Sequence, residues 1–373
     1  MTDANSGGDP AQVLGLVVNP VAGLGGTVAL KGTDGTEIAS RALLAGAKPQ
    51  AGERARRAVA AFLRDGGGAI LTGPGDLGGD AAPSADVIAL KRSGTARDTA
   101  QLVNAMQGRV GLILFAGGDG TARDVVAANR NDIPILGIPA GVKMHSGVFS
   151  RTPERAGQVA AAHLSEGNPR VDVAEVMDID EEERRRDRLS AHLYAMARTP
   201  AGPTAHIGPK AGSDGDSVAE IDAALAAYVR EMNGDTLYLI GPGMTMAALK
   251  QRLGGGTLLG IDAARDGRIV ARDLTEADIL ALLTDGDRAR VVLTVIGGQG
   301  FLLGRGNQQL SPSVIRRVGA DAIDVICTAS KLAGLTIPEL SVDTGDVELD
   351  RELTGFRQVI TGPGRRQVVR LAA

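Results

Sequence analysis

Four short apolar runs in the N-terminal part each end in a turn rich in glycine or proline. VLGLVVN (Val13 to Asn19) runs into NPVAGLGG, GAILTGP (Gly68 to Pro74) into TGPGD, GLILF (Gly111 to Phe115) into AGGDGT, and IPILGIPA (Ile133 to Ala140) into AGVK. Between them lie stretches with a helical period. ERARRAVAAFLRDG (Glu53 to Gly66) puts Ala55, Val59, Phe62 and Leu63 on one face, with arginines between. Asp86 to Leu90 reads as a further strand, and Asp98 to Gln107 and the residues after GGDGT read as helices. Strand and helix alternating at this spacing build βαβ units, and so a parallel sheet in an α/β fold.

The rest of the chain reads differently. A helix over Thr152 to Glu166 leads to VDVAEVMDID, HLYAMARTPAG, GDTLYLIGPGMTM and RVVLTVIGGQG, all strand candidates. TLLGIDAARDGRIVARDLT reads as strand, turn, strand around Asp266-Gly267. SPSVIRRVG has a serine cap, a proline at the first helical position and a glycine stop. GFRQVITGPGRRQVVRLA is a hairpin candidate. The expected organisation is a disordered lead-in over 1–12, an α/β nucleotide-binding domain over 13–168 and a strand-rich acceptor domain over 169–373, with the tail packing back on the first domain as an option. A chain of 373 residues suits two domains.

Composition removes several functions. With 5 Phe, 3 Tyr and no Trp there is no stacking surface for bases, and a net charge of −4 disfavours nucleic acid. No apolar run approaches the roughly 18 residues of a membrane helix, and the polar, glycine-rich start is unlike a signal peptide. The cytoplasm is the expected compartment. Cys327, the single cysteine, sits in the apolar run DAIDVICTA and reads as a core residue. The charged run EEERRRDR reads as a solvated face, with a metal site as the alternative.

Parallel strands collect their following loops at the carboxyl edge, where ligands bind. Glycines let a phosphate approach the main chain, and the amides of a helix start favour an anion. Gly117, Gly118, Gly120 and Thr121 have that character, and so do Asn19, Gly23 and Gly25 in the first loop. Asp119 cannot hold phosphate directly. A carboxylate there needs Mg²⁺ between itself and the phosphates, or an acceptor hydroxyl whose proton it takes; the plain alternative is a turn-former. Lys143 would neutralise phosphate charge. His145 reads as a base, a donor or a packed ring, with Ser146 beside it. KGTDG (Lys31 to Gly35) reads as a lid or a turn. Arg305, Asn307 and Gln308 in GRGNQQ, with Asp343 and Asp346 in DTGD, offer further polar contacts. His163, His192 and His206 share no metal-ligand spacing, and the sequence identifies no metal ligands.

NPVAG-x-G followed by GGDGT resembles the superfamily of NAD kinases and of diacylglycerol and sphingosine kinases, with 6-phosphofructokinases more distant. The wider set NPVAGLGG, LKGTDG, FAGGDGTARDV, GIPAGVKMHSGVF, IGPG-x-T, TLLG-x-D, IGGQGF-x-x-GRGNQQ-x-SP and DTGD-x-ELD is similar to the ATP-NAD kinase-like branch that includes the AcoX proteins. The blocks run from about Val18 to Asp350. The resemblance implies a nucleotide domain, a strand-rich second domain and an active site between them. It also implies transfer of a phosphoryl group from ATP or polyphosphate, with Mg²⁺, to a hydroxyl, which in NAD kinases is the 2′-hydroxyl of NAD. Asp119 stands where the family meets the acceptor hydroxyl. Gly117, Gly118, Gly120 and Thr121 stand where it holds phosphate, and Asn19, Gly23 and Gly25 match its first nucleotide loop. The Asn-Glu pair that grips adenine in NAD kinases has no equivalent, since Asn129 precedes Arg130 and Asn307 precedes Gln308. Gly241 to Thr245 is a loose analogue of the family's GST-AY turn, which makes Thr245 an acceptor-binding candidate with His145, Ser146, Arg305, Asn307 and Gln308. Another small hydroxylated acceptor, or a nucleotide-binding accessory protein without turnover, stays open, and so does a homo-oligomer.

Overall fold

The computed structural model describes residues 9–24, 44, 47–141, 144–167, 169–179, 191–201, 215–284, 286, 288–296, 300–335 and 337–373. Gly25, Lys143, KGTDG, EEERRRDR, His206 and residues 1–8 lie outside them. The described residues fall into two units, one up to Gly23 and then from Lys48 into the 191–201 segment, the other mainly from 215 onward.

In the first unit, β1 (Leu14–Val18), β2 (Ile70–Thr72), β3 (Asp86–Val87), β4 (Leu112–Gly117) and β5 (Ile135–Pro139) form one sheet in the order β3-β2-β1-β4-β5. Every pairing is parallel. The five residues of β1 and the six of β4 are all buried, which is why these runs are apolar without alternation. Helices α1 (Ala51–Arg64), α2 (Ala96–Met106) and α3 (Asp119–Ala128) lie in the crossovers, and α4 (Pro153–Ser165) follows β5. Ala51, Ala55, Ala58, Val59 and Phe62 of α1 join β1, β4 and α4 in one core. Residues 9–12, read from sequence as part of a disordered lead-in, include a 3₁₀ turn over Pro10–Gln12, capped by the Asp9 carboxylate. β6 (Val171–Ile179) and β7 (Ala191–Pro200) form an antiparallel pair that belongs to this unit, so the unit extends past the expected boundary at 168.

The second unit is built on a mixed nine-stranded sheet in the order β10-β9-β8-β11-β13-β15-β16-β14-β12. Its strands are β8 (Leu237–Ile240), β9 (Asp262–Arg265), β10 (Arg268–Ala271), β11 (Ala289–Leu293), β12 (Phe301–Leu303), β13 (Ile323–Ile326), β14 (Glu339–Val342), β15 (Gly355–Gly362) and β16 (Arg365–Ala372). Asp266 and Gly267 both take positive φ, 51° and 68°, and turn β9 into β10. The tail hairpin β15–β16 joins this sheet, β15 pairing with β13 and β16 with β14. Its ladder bonds therefore lie in the second unit and not in the first, because its apolar positions Val359, Val369 and Leu371 complete the second core. GPGMTM, read as strand, instead turns at Gly243 (φ 106°) into the helix α6 (Met244–Arg252). The chain before β8 holds α5 (Gly215–Glu231), which the sequence reading missed. Four shorter helices complete the unit: α7 (Glu276–Leu282), α8 (Pro312–Val318), α9 (Ala329–Ala333) and α10 (Val347–Leu353). Ser311 caps α8 and Gly319 stops it, as the sequence predicts. Cys327 is a core residue, and burial pushes its thiol up to about 11. No described helix is long and apolar enough to cross a membrane.

Candidate active site

The order of the first sheet reverses at β1, whose neighbours β2 and β4 lead in opposite directions. The crevice beyond the carboxyl ends of β1 and β4 is thus the natural ligand position. Asn19 sits at the end of β1, and its N–H donates to Ala116 O of β4 at 3.0 Å. Its side chain divides its work. Oδ1 accepts from Val21 N at 3.2 Å, which shapes the first loop, and Nδ2 donates to Thr121 Oγ1 at 2.9 Å. The first loop and the GGDGT turn are therefore joined by a side-chain bond between residues 102 positions apart.

The glycines here answer to space more than to backbone angle. A Cβ on Gly117 would lie 2.3 Å from Thr121 Oγ1, because the threonine folds back over the strand end. A Cβ on Gly141 would lie 2.8 Å from Gly118 Cα, because the turns after β4 and β5 touch there. Neither Gly117, Gly118 nor Gly120 has positive φ. Gly23 needs both freedoms, with φ 83° and a hypothetical Cβ 2.7 Å from Ala140 O. The three turns after β1, β4 and β5 meet because each can give up a side chain.

The GGDGT segment is itself the start of α3. Asp119 is its first residue and Gly118 its cap, with no side chain closing the first turn. Asp119 is buried, and its carboxylate points away from its own helix. Oδ2 accepts from His145 N at 2.8 Å; Oδ1 accepts from Ser146 N at 3.0 Å and from Ser146 Oγ at 2.6 Å. His145 Nδ1 stands 3.4 Å from Oδ2. The positive end of α3 is thus left with uncapped amides beside a carboxylate fixed from the opposite side.

The segment that holds Asp119 is anchored at both ends. Ahead of it, Ala140 N continues the β5 ladder to Gly117 O at 3.0 Å. Behind it, Phe149 bridges back to Gly137 of β5 and packs edge-on against Phe115, ring centres 5.4 Å apart. Gly137 has no Cβ because Phe149 Cδ1 would be 2.3 Å away. Gly147 N donates to Glu175 O and Met177 N to Ser146 Oγ, at 2.8 and 2.9 Å, so β6 runs along the same segment. Ser146 is 1% exposed with its hydroxyl engaged on both sides, a burial the reading of it as an acceptor contact did not anticipate.

One residue escaped the sequence reading. Arg54 is buried in α1 and donates from Nη1 to Pro139 O, the last residue of β5, at 2.9 Å. The signal was present: Arg54 falls among Ala51, Ala55 and Ala58 on the buried side of α1.

The remaining candidates lie in the second unit. Thr245 is in the first turn of α6. GRGNQQ and DTGD meet at the carboxyl ends of the parallel strands β12 and β14. Arg305 Nη2 pairs with Asp343 at 2.9 Å, both buried, and its guanidinium stacks 4.5 Å from the centre of the Phe301 ring. Asn307 accepts from Gly304 N and donates to Leu302 O, both at 2.9 Å, and Gln308 donates to Gly304 O at 3.2 Å. Asp346 caps α10, and Arg316 together with the Leu349 amide holds its carboxyl at about 2. Arg305, Asp343, Asn307 and Gln308 find partners within these loops and strand ends, and the Asp346 carboxylate finds its partners on α8 and α10. A second buried pair went unread in sequence. Lys250 and Asp262 meet at 3.0 Å, with Thr257 and the Asp273 amide donating to the carboxylate.

Comparison with known proteins follows the same division. The ATP-NAD kinase N-terminal domain model matches residues 14–168, and the ATP-NAD kinase C-terminal domain model matches residues 233–371. No curated protein matches. A diacylglycerol kinase from Bacillus anthracis str. Sterne aligns at 17% identity over 46% of this chain and 48% of its own, with a TM-score of 0.24. Two further structures from that organism align at 17% and 16% identity, over 44% and 48% of this chain and 45% and 53% of theirs, with TM-scores of 0.24 and 0.25. This chain spans about half the length of those structures. Matched by both domain models over most of its length, the chain belongs to the ATP-NAD kinase family.

Proposed function

We propose that this protein transfers the terminal phosphoryl group of ATP, or of polyphosphate, to the 2′-hydroxyl of NAD⁺. The observation that carries the reading is Asp119. It is a buried carboxylate at the sheet's switch point, beside uncapped helix amides and the Asn19–Thr121 bond. A nucleotide-binding protein without turnover needs the glycines and the helix start, but not a carboxylate fixed by three hydrogen bonds.

In this reading the donor's phosphates lie against the turns of Gly23, Gly117, Gly118, Gly120 and Thr121, and the amides of α3 take up negative charge. Thr121, held by Asn19, presents its hydroxyl to a phosphate oxygen. The acceptor hydroxyl faces Asp119. As the new O–P bond forms, the hydroxyl proton passes to the carboxylate, and the bond to the departing diphosphate breaks with its electron pair. Mg²⁺ bound to the donor would offset phosphate charge. Among the described residues no three carboxylate, imidazole or thiol groups gather to hold a metal, so its ligands would be largely phosphate oxygens and water.

The test is NADP⁺ formation by the wild type from NAD⁺ and Mg²⁺, with ATP and polyphosphate supplied in turn. Steady turnover with either donor supports the reading. A folded protein that binds ATP and forms no NADP⁺ would remove NAD⁺ as the acceptor.

A further inference from the structure

Three donors reach the Asp119 carboxylate, and they do not divide evenly. Oδ1 accepts two hydrogen bonds, from the amide and the hydroxyl of Ser146, whereas Oδ2 accepts one, from the His145 amide. A carboxylate oxygen accepts about two. Oδ1 is therefore full, and the open acceptor position is on Oδ2, the oxygen that faces His145 Nδ1.

The direction of the Ser146 bond is fixed by its other neighbour. Met177 N can only donate, and it donates to Ser146 Oγ at 2.9 Å. The serine hydrogen is thereby sent to Asp119 Oδ1, 2.6 Å away. The chain of bonds has one polarity from Met177 N–H through Ser146 O–H to Oδ1, and that polarity is incompatible with a proton on Oδ1.

We propose that Ser146 is a positioning residue for phosphoryl transfer. Its hydroxyl, oriented from β6, occupies Oδ1 and leaves Oδ2 as the atom that receives the acceptor's proton. The inference rests on the kinase reading for its catalytic consequence, and on the Met177–Ser146–Asp119 bonds for its structural part. Ser146 is buried with its hydroxyl engaged on both sides, so its expected effect is on the chemical step and not on affinity.

The experiment compares wild type, Ser146→Ala and the conservative Ser146→Cys, whose thiol is a weaker donor. Ser146→Ala is expected to lower kcat about tenfold, the scale of one lost hydrogen bond, with KM for ATP and NAD⁺ unchanged. Ser146→Cys falls between the two. A purely structural role would lower stability and leave kcat of the folded protein unchanged. Hydrogen exchange at the Met177 amide supplies a readout independent of turnover: slow in the wild type and faster in Ser146→Ala. Unchanged kcat in folded Ser146→Ala, or equally slow Met177 exchange in both proteins, overturns the proposal. If the wild type phosphorylates no hydroxyl, the kinase reading falls, and Met177 exchange still decides whether the bond chain exists.

Discussion

The chain writes GTARD twice, at Gly94 to Asp98 and at Gly120 to Asp124, and uses the two copies for opposite purposes. In the first copy α2 begins at its third residue. Thr95 caps the helix by accepting from Arg97 N, and the buried Asp98 turns back to accept from the amides of Ser93 and Gly94 and from the Ser93 hydroxyl. The helix start is closed by its own side chains. In the second copy α3 has already begun, at Asp119, under a glycine cap that contributes no side chain. Thr121 turns to Asn19, and Asp119 turns to residues 145 and 146. The same five residues give a sealed helix end in one place and an open one in the other. The neighbours decide, Arg92-Ser93 in one case and Gly118-Asp119 in the other.

The strongest way to break this contrast is at the two carboxylates. Asp119→Asn should lower turnover by at least about 10²-fold, the scale of a lost general base. Asp98→Asn should leave turnover unchanged and lower the melting temperature. Next come the glycines. Gly117→Ala forces a methyl against Thr121 Oγ1 and should cost about 1–3 kcal/mol. By displacing Thr121 from Asn19 it should also weaken ATP binding, as calorimetry would show. Gly94→Ala meets nothing within 4 Å but sits at φ 70°, so it should cost about 1–2 kcal/mol and leave ATP affinity alone. Thr95→Ala should lose about 1 kcal/mol in denaturant melts, the usual value of a cap, with unchanged KM. Thr121→Ala should raise KM for ATP.

The smallest effect is one of pH. Burial works against the Asp98 charge, but the Ser93 hydroxyl and amide, the Gly94 amide and Arg92 outweigh it and hold the carboxyl at about 2. A depressed native value means stability that is present above the ordinary carboxylate range and lost as pH falls toward 2. The melting temperature of the wild type should fall more steeply than that of Asp98→Asn between about pH 4 and pH 2.

What the sequence shows and what it hides follow from the range of the interactions. β1, β4 and β5 were legible because strands buried on both faces are continuous apolar runs. The Asp266-Gly267 turn and the α8 boundaries were legible because their signals are local. GPGMTM misled because a short apolar stretch after a strand reads as more strand, and Gly243 alone marks the turn into α6. Asp119 and the glycines around it could be singled out from the turn. Their partners could not, because His145 and Ser146 lie 26 and 27 residues on and Met177 another 31 beyond Ser146. Only the meeting of three chain reversals at one sheet edge makes Ser146 a buried donor instead of an exposed one. Arg305 and Asn307 show the converse: donor-rich residues in a glycine loop that pair with Asp343, Gly304 and Leu302 inside the fold.

In the proposed reaction the open helix start of α3 is where a phosphoryl group changes hands. The most direct measurement supplies ATP isotopically labelled in its γ-phosphate, with NAD⁺ and Mg²⁺, to the wild type and to Asp119→Asn, and follows the label. Label is expected on the 2′-phosphate of NADP⁺ with the wild type and almost none with Asp119→Asn. Label that appears on NADP⁺ equally fast with folded Asp119→Asn, or that never leaves ATP bound to the wild type, would contradict it.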